Sequence, residues 1–219
     1  MSNNIGTQFL LPSGDYFRVF AVPPMRTACL FLDRDGVIIE DRSFVSRPED
    51  VQLCPYIHEL FSLAARRNIA IVLVTNQSGI GRGYYDWPAF EAVQARMMSL
   101  LNDRLGQTAS LINAVVACPH HPTEGTNGFR ADPLGFRKPL PGMIDFALDR
   151  LGLARERSVM IGDRDTDVVA GIKARMRRSI QLLNGFDSLR IASDVGETRF
   201  HRSHAESVPM FLSRHVFAD

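Results

Sequence analysis

The stretch Ala28-Cys29-Leu30-Phe31-Leu32-Asp33-Arg34-Asp35-Gly36 settles the fold class of this 219-residue chain. Its five uninterrupted apolar residues make a run of strand length. The absence of polar alternation marks a strand buried on both faces, as in a parallel sheet flanked by helices. Three charged residues and a glycine follow at once. In open α/β sheets ligands bind outside the carboxyl ends of the strands, so Asp33 and Asp35 stand where a site is expected.

Outward from this point the same punctuation recurs. Ile57, Leu60, Phe61 and Ala64 follow the i, i+3, i+4, i+7 spacing of an amphipathic helix, closed by Arg66-Arg67-Asn68. Ile69–Val74 is a second buried strand, ended by Thr75-Asn76-Gln77-Ser78 and by Gly79, Gly81 and Gly83. Asp86 is the N-cap of a helix with Phe90, Val93, Met97, Leu100 and Leu101 on one face. Leu111–Cys118 is a third strand, running into a Pro/His/Gly-rich stretch from His120 to Gly135. Pro141 opens a helix with Ile144, Ala147, Leu148 and Leu151 inward and Gly152 just past its end. Ser158–Ile161 is a fourth strand, Thr166–Ala174 a helix and Ser179–Leu183 a fifth strand. Apolar strands alternating with amphipathic helices predict an α/β fold with a mainly parallel sheet covered on both faces. Residues 1–26 show no sustained period and read as an N-terminal arm before one domain over 27–219.

Composition narrows the function. With 45% apolar and 22% charged residues the chain is expected to build an ordinary core, which excludes disorder, collagen and a disulfide scaffold. Twenty-five basic against 24 acidic residues leave a net charge of +1, no global attraction for nucleic acid or an anionic membrane. No apolar run reaches the roughly 18 residues needed to span a bilayer. A basic leader is missing and Cys29, Cys54 and Cys118 are scattered, so the expectation is a cytoplasmic protein.

Three polar clusters follow strands: Asp33-Arg34-Asp35-Gly36, Thr75-Asn76-Gln77-Ser78 and Gly162-Asp163-Arg164-Asp165-Thr166-Asp167, with Arg137-Lys138-Pro139 ahead of a helix. Carboxylates gathered at one sheet edge repel unless a cation lies among them, and oxygen donors suit Mg²⁺. A divalent cation with a lysine clamps a phosphoryl group in transfer. One carboxylate can attack phosphorus, and a second, two residues on, can protonate the leaving oxygen and then activate water. A phospho-accepting receiver domain uses similar residues. There, however, the phosphorylated Asp ends a middle strand, whereas Asp33 ends the first apolar strand here. A catalytically silent binding module is the other alternative.

In order and placement these residues resemble the motifs of the haloacid dehalogenase (HAD) superfamily of phosphatases. Leu32–Val37 is similar to the first motif, Val74-Thr75-Asn76 to the second, Lys138 to the third and Gly162-Asp163 through Asp167 to the fourth, over about residues 28–185. DRDGVI, TNQSGIGRGYY, CPHHP, FRKPLPGMI and IGDRDTDVVAG are similar to the branch of heptose-bisphosphate and histidinol-phosphate phosphatases. The resemblance implies a Rossmann-like three-layer fold without a large cap. It also implies a Mg²⁺-dependent phosphomonoesterase acting on a small phosphorylated metabolite through an aspartyl phosphate. GIGRGYY favours a sugar bisphosphate, with histidinol phosphate as the alternative.

Residue by residue, the resemblance implies Asp33 as nucleophile, Asp35 as general acid/base, and Thr75 and Lys138 as holders of the phosphoryl group. The metal falls to the Asp33 carboxylate, the Asp35 backbone carbonyl and Asp163. Arg34, Asn76, Gln77, Ser78, Arg137 and Arg164, with Asp41 to Phe44 on a flap after the first motif, fall to the substrate. Asp167 is either a first-turn helix acid or a direct site residue, and Asp165 is expected in solvent. The branch also carries a structural Zn²⁺ on Cys-x-His and Cys-x-Cys pairs. Cys118 and His120 keep the first pair, but Leu134 and Phe136 replace the second. No zinc is therefore expected, and apolar packing of Leu134 and Phe136 is expected to hold the loop. His121 and Asp132 are the substitute donors within it, restricted by Pro119 and Pro122.

Overall fold

The computed structural model describes residues 9–106, 110–126, 128–193 and 196–217. The elements in chain order are β1 (Phe9–Leu10), β2 (Tyr16–Val19), β3 (Cys29–Leu32), α1 (Ile57–Arg66), β4 (Ala70–Asn76), α2 (Ser78–Gly81) and α3 (Trp87–Leu105). They continue as β5 (Ala114–Cys118), α4 (Gly142–Leu151), β6 (Val159–Gly162), α5 (Asp165–Lys173), β7 (Arg178–Leu182), β8 (Ser188–Ser193), β9 (Gly196–His201) and α6 (Val208–His215).

Every residue of β3 is buried because successive side chains take opposite faces of the sheet and both faces are covered. Leu30 and Leu32 join Ile71, Leu73, Val115 and Ile161 in a core packed by α1, α3 and α6, whereas Cys29 and Phe31 join Val72, Val74, Val116 and Met160 beneath α4 and α5. A large aliphatic or aromatic side chain here contributes roughly 1.5–3 kcal/mol by burial. Leu73→Ala, which also leaves a cavity, costs about 2–5 kcal/mol.

The strand order is β1-β2-β5-β4-β3-β6-β7-β8-β9. The middle five strands, β5 to β7 across the sheet, pair in parallel, and the outer pairings are antiparallel. Within the segment taken as an arm, residues 16–19 pair with β5 and residues 9–10 pair in turn with 16–17, so both join this sheet. The third predicted strand starts late, at Ala114, because Asn113 turns its side chain onto the backbone. Its Oδ1 accepts from Ile71 N at 2.9 Å and its Nδ2 donates to Ala21 O at 3.1 Å. Helix α3 begins as expected, with Asp86 Oδ1 accepting from Ala89 N at 3.0 Å, and α4 ends on Gly152 at φ 61°. Among the described residues no helix is long and apolar enough to cross a membrane.

Candidate active site

Strand β3 lies at the middle of the parallel block, so its carboxyl end delivers Asp33 between the ends of β4 and β6. Asp33 N donates to Ile161 O at 3.0 Å, tying the Asp33 backbone to β6. The chain then reverses through Gly36, whose φ of 78° suits glycine. A Cβ on Gly36 would overlap the Asp163 carboxylate, so the first and fourth motifs touch only because this position is bare.

Lys138 is 2% exposed and reaches three oxygens: Asp33 Oδ1 at 3.1 Å, Asp167 Oδ1 at 2.6 Å and Val74 O at 2.8 Å. Burial alone would lower its pKa, but Asp167 and Asp33 outweigh that effect and raise it, so Lys138 remains a cation. Asn76 fixes the lysine's backbone, donating to Lys138 O and accepting from Lys138 N, both at 3.0 Å. Asp167 resolves the choice left open by the sequence. It is 1% exposed, accepts from Arg164 N at the start of α5, and at the same time faces Lys138 in the site.

Donor oxygens of Asp33, Asp163 and Asp167 lie within 4.8 Å of one another. Burial, reinforced by Asp33 and Asp167, pushes the Asp163 carboxyl up to about 7, and its buried Oδ1 has no hydrogen-bond partner. Three carboxylates against one lysine leave excess negative charge, and an orphaned oxygen within an all-oxygen donor set fits Mg²⁺.

Asp33 and Asp167 border a cleft of about 280 Å³ whose lining also includes Asp35 and Lys138. Asn76, Gln77, Ser78 and Arg137 line it further, and Asp41, Phe44, Arg82, Tyr85 and Arg164 complete its walls. Arg164 Nη2 donates to Asp41 Oδ2 at 2.7 Å, latching the flap to α5. Arg82 pairs with Glu124 at 2.8 Å and lies over the rings of Phe44 and Tyr84. Arg137 donates through Nη1 to His120 O at 2.8 Å. Ser43 and Phe44 both hold φ 58°, backbone strain of the kind found at ligand sites.

Three expected residues lie behind this surface. Thr75, 1% exposed, accepts from Gln77 Nε2 at 2.8 Å, and Asp163 sits beside Gly36. Arg34, expected at the substrate, is 0% exposed and does not line the cleft, because its side chain turns inward behind Asp35. Asp165 is exposed and pairs with Arg190. Ser43, inside the expected flap 41–44, also lines the cleft, and Arg82, Tyr85 and Thr166 line it without having been singled out. The glycines after β4 were the available signal, since a Cβ on Gly79 would strike the Tyr85 ring and one on Gly81 would strike Pro119 O.

The donor set expected for zinc does not assemble. Leu134 is 46% exposed and Phe136 is buried against Phe146, so both positions present only carbon. His120 Nε2 instead faces Asp15 Oδ2 at 3.3 Å, and Ser13 Oγ donates to the same oxygen at 2.7 Å. Asp132 accepts from Phe136 N at 2.9 Å and Arg137 N at 2.8 Å. Asp15, His120 and Asp132 approach within 4.8 Å of one another, but both Asp132 oxygens already hold the loop's amides.

A parallel sheet whose central strand ends in Asp-Arg-Asp-Gly, with a buried lysine and a late acidic pair over it, defines a HAD-type phosphatase, and the chain belongs to the HAD-like family of hydrolases. Residues 135–197 match the HAD-hydrolase-like family model, and the chain is a phosphoric monoester hydrolase. It is 40% identical over 157 residues to a D-glycero-β-D-manno-heptose-1,7-bisphosphate 7-phosphatase of Mesorhizobium japonicum, covering 72% of this chain and 69% of that one. A HAD-like phosphatase of Mesorhizobium loti superposes with a TM-score of 0.81 at 32% identity, over 94% of this chain and 95% of that one. A D,D-heptose 1,7-bisphosphate phosphatase from B. bronchiseptica, complexed with magnesium and phosphate, superposes with a TM-score of 0.58 at 29% identity, over 68% of this chain and 76% of that one.

Proposed function

We propose that the chain is a Mg²⁺-dependent sugar-bisphosphate phosphatase working through an aspartyl phosphate, with heptose 1,7-bisphosphate as the substrate. The observation that carries this is one cleft that joins the Asp33–Lys138–Asp167 cluster to three guanidiniums, Arg82, Arg137 and Arg164. A monoester needs only the first group of residues. The guanidiniums add recognition for a second anion, as a bisphosphate has. Histidinol phosphate would instead bring an amine that is cationic at neutral pH among three cations.

The Asp33 carboxylate attacks phosphorus while the ester oxygen leaves with a proton from Asp35, giving the free alcohol and an aspartyl phosphate. Asp35, now ionised, takes a proton from water as that water attacks the phosphorus, and Asp33 is released with inorganic phosphate. Arg34 N–H, 2.8 Å from Asp33 Oδ1, and Lys138 fix the attacking carboxylate. Asp33 and Asp163, with the Asp35 backbone carbonyl, would hold Mg²⁺, which supplies charge neutralisation of the phosphoryl oxygens. Thr75 is buried behind the cleft, where its Oγ1 accepts from Gln77 Nε2. Three free thiols suit a reducing compartment, in keeping with a cytoplasmic enzyme.

Phosphate release from a panel of phosphorylated metabolites with Mg²⁺ present tests the proposal. The expected result is preference for heptose 1,7-bisphosphate over monophosphates and over histidinol phosphate. Turnover of histidinol phosphate with no turnover of sugar bisphosphates would overturn it.

A further inference from the structure

Arg34 is the largest fully buried side chain among the described residues, and it is charged. A guanidinium removed from water costs several kcal/mol unless its surroundings compensate it, so its partners show what it serves. Its short side-chain hydrogen bonds run to two residues of the cleft, Asp35 and Gln77. Nε and Nη2 donate to Asp35 Oδ1 at 3.2 and 3.0 Å, and Nη2 also lies 3.0 Å from Asp35 Oδ2 and 3.1 Å from Gln77 Oε1. Beneath it the Phe90 ring of α3 lies 5.2 Å from the guanidinium carbon, and Nη1 has no partner. Gln77 completes the cradle. Its Nε2 donates to Asp35 Oδ2 at 2.9 Å and to Thr75 Oγ1 at 2.8 Å, while Tyr85 OH donates to Gln77 Oε1 at 2.6 Å.

We infer that Arg34 is a positioning residue for the acid/base: buried on Phe90 and out of reach of the substrate, it holds the Asp35 carboxylate in its working orientation. The Asp35 side chain is 23% exposed, and without this grip only Gln77 Nε2 is left to hold its carboxylate against turning among staggered states. Proton transfer requires that oxygen within about 2.6–3.2 Å, so a misdirected carboxylate loses the step without loss of substrate binding. A planar two-donor fork fixes orientation as a lysine's point charge does not.

The inference rests on Asp35 being the acid/base, and the test separates the two. Two esters are compared by kcat/KM, which reports steps through phosphoryl transfer to Asp33. One is p-nitrophenyl phosphate, whose phenolate leaves without protonation. The other is heptose 1,7-bisphosphate, whose alkoxide needs a proton. Arg34→Met should lower kcat/KM for the alkyl ester on the order of 100-fold and for the aryl ester only a few-fold. Arg34→Lys should fall between it and the wild type. The ratio of the two esters does not depend on how much of the variant is folded. In the Asp35→Asn background, Arg34→Met should change the ratio no further, since a residue acting only through Asp35 has nothing left to act on. An equal loss on both esters, or a multiplied loss in the double variant, would overturn the role of Arg34 while leaving Asp35 in place. An unchanged ratio in Asp35→Asn would overturn the acid/base assignment and the inference with it.

Discussion

Magnesium binding should be coupled to release of a proton, and Asp163 sets the size of the effect. In the metal-free chain, burial and the neighbouring Asp33 and Asp167 raise this carboxyl from 3.8 to about 7. The unfolded chain has lost this proton by about pH 5 and the native chain still holds it. Between about pH 4 and 7 the native state therefore binds more protons, and its stability falls as pH rises through that window. Mg²⁺ needs the ionised carboxylate. At pH 5.5 about 3% of Asp163 is ionised and at pH 8 about 90%, so apparent Mg²⁺ affinity should be about 30-fold weaker at pH 5.5, or about 2 kcal/mol. Calorimetric titration in two buffers of different ionisation enthalpy reads both quantities. The expected outcome is about one proton released per Mg²⁺ at pH 5.5 and almost none at pH 8. Equal affinity at the two pH values with no proton release would refute the reasoning. Asp163→Asn should abolish the proton release.

Asp33→Asn should remove phosphatase activity while circular dichroism remains native, because the amide is neither a competent nucleophile nor a counter-charge for Mg²⁺; retained turnover would remove the nucleophile assignment. Lys138→Met should lower stability by about 3–5 kcal/mol in denaturant titration, since it strands Asp33 and Asp167 in a buried site; a change under about 1 kcal/mol would show that the pair is solvated. Gly36→Ala should impair folding and Mg²⁺ binding together, through its positive φ and its overlap with Asp163, and normal Mg²⁺ affinity would contradict that. Elemental analysis of protein purified without added zinc should find well below one zinc per chain; one equivalent lost on Cys118→Ser would show that Asp15, His120 and Asp132 complete a metal site with the thiol.

The parallel block was legible because burial on both faces writes itself as unbroken apolar runs, as in Ala70–Val74 and Ala114–Cys118. The acids were legible because they stand directly after those runs. The antiparallel flanks were not. Strand β9, GETRFH, is exposed along nearly its whole length, so backbone pairing with β8 rather than side-chain burial holds it and no period appears. Tyr16–Val19 is too short to carry a period of its own. Arg34 was misplaced for a different reason: adjacency to Asp33 gives its position along the chain but not the direction of its side chain. That direction is set by Phe90 and Gln77, 56 and 43 residues further along the chain.

The central location of β3 also governs how the protein comes apart. Its backbone amides are paired on both sides, to β4 and β6, and its side chains are sealed on both faces. Local opening events that expose β9 or the two-residue β1 to solvent cannot release it, so β3 amides should exchange with solvent deuterium only through global unfolding. Asp33, the proposed nucleophile, directly follows this segment. Fraying at either edge of the sheet should therefore leave the backbone position of Asp33 undisturbed.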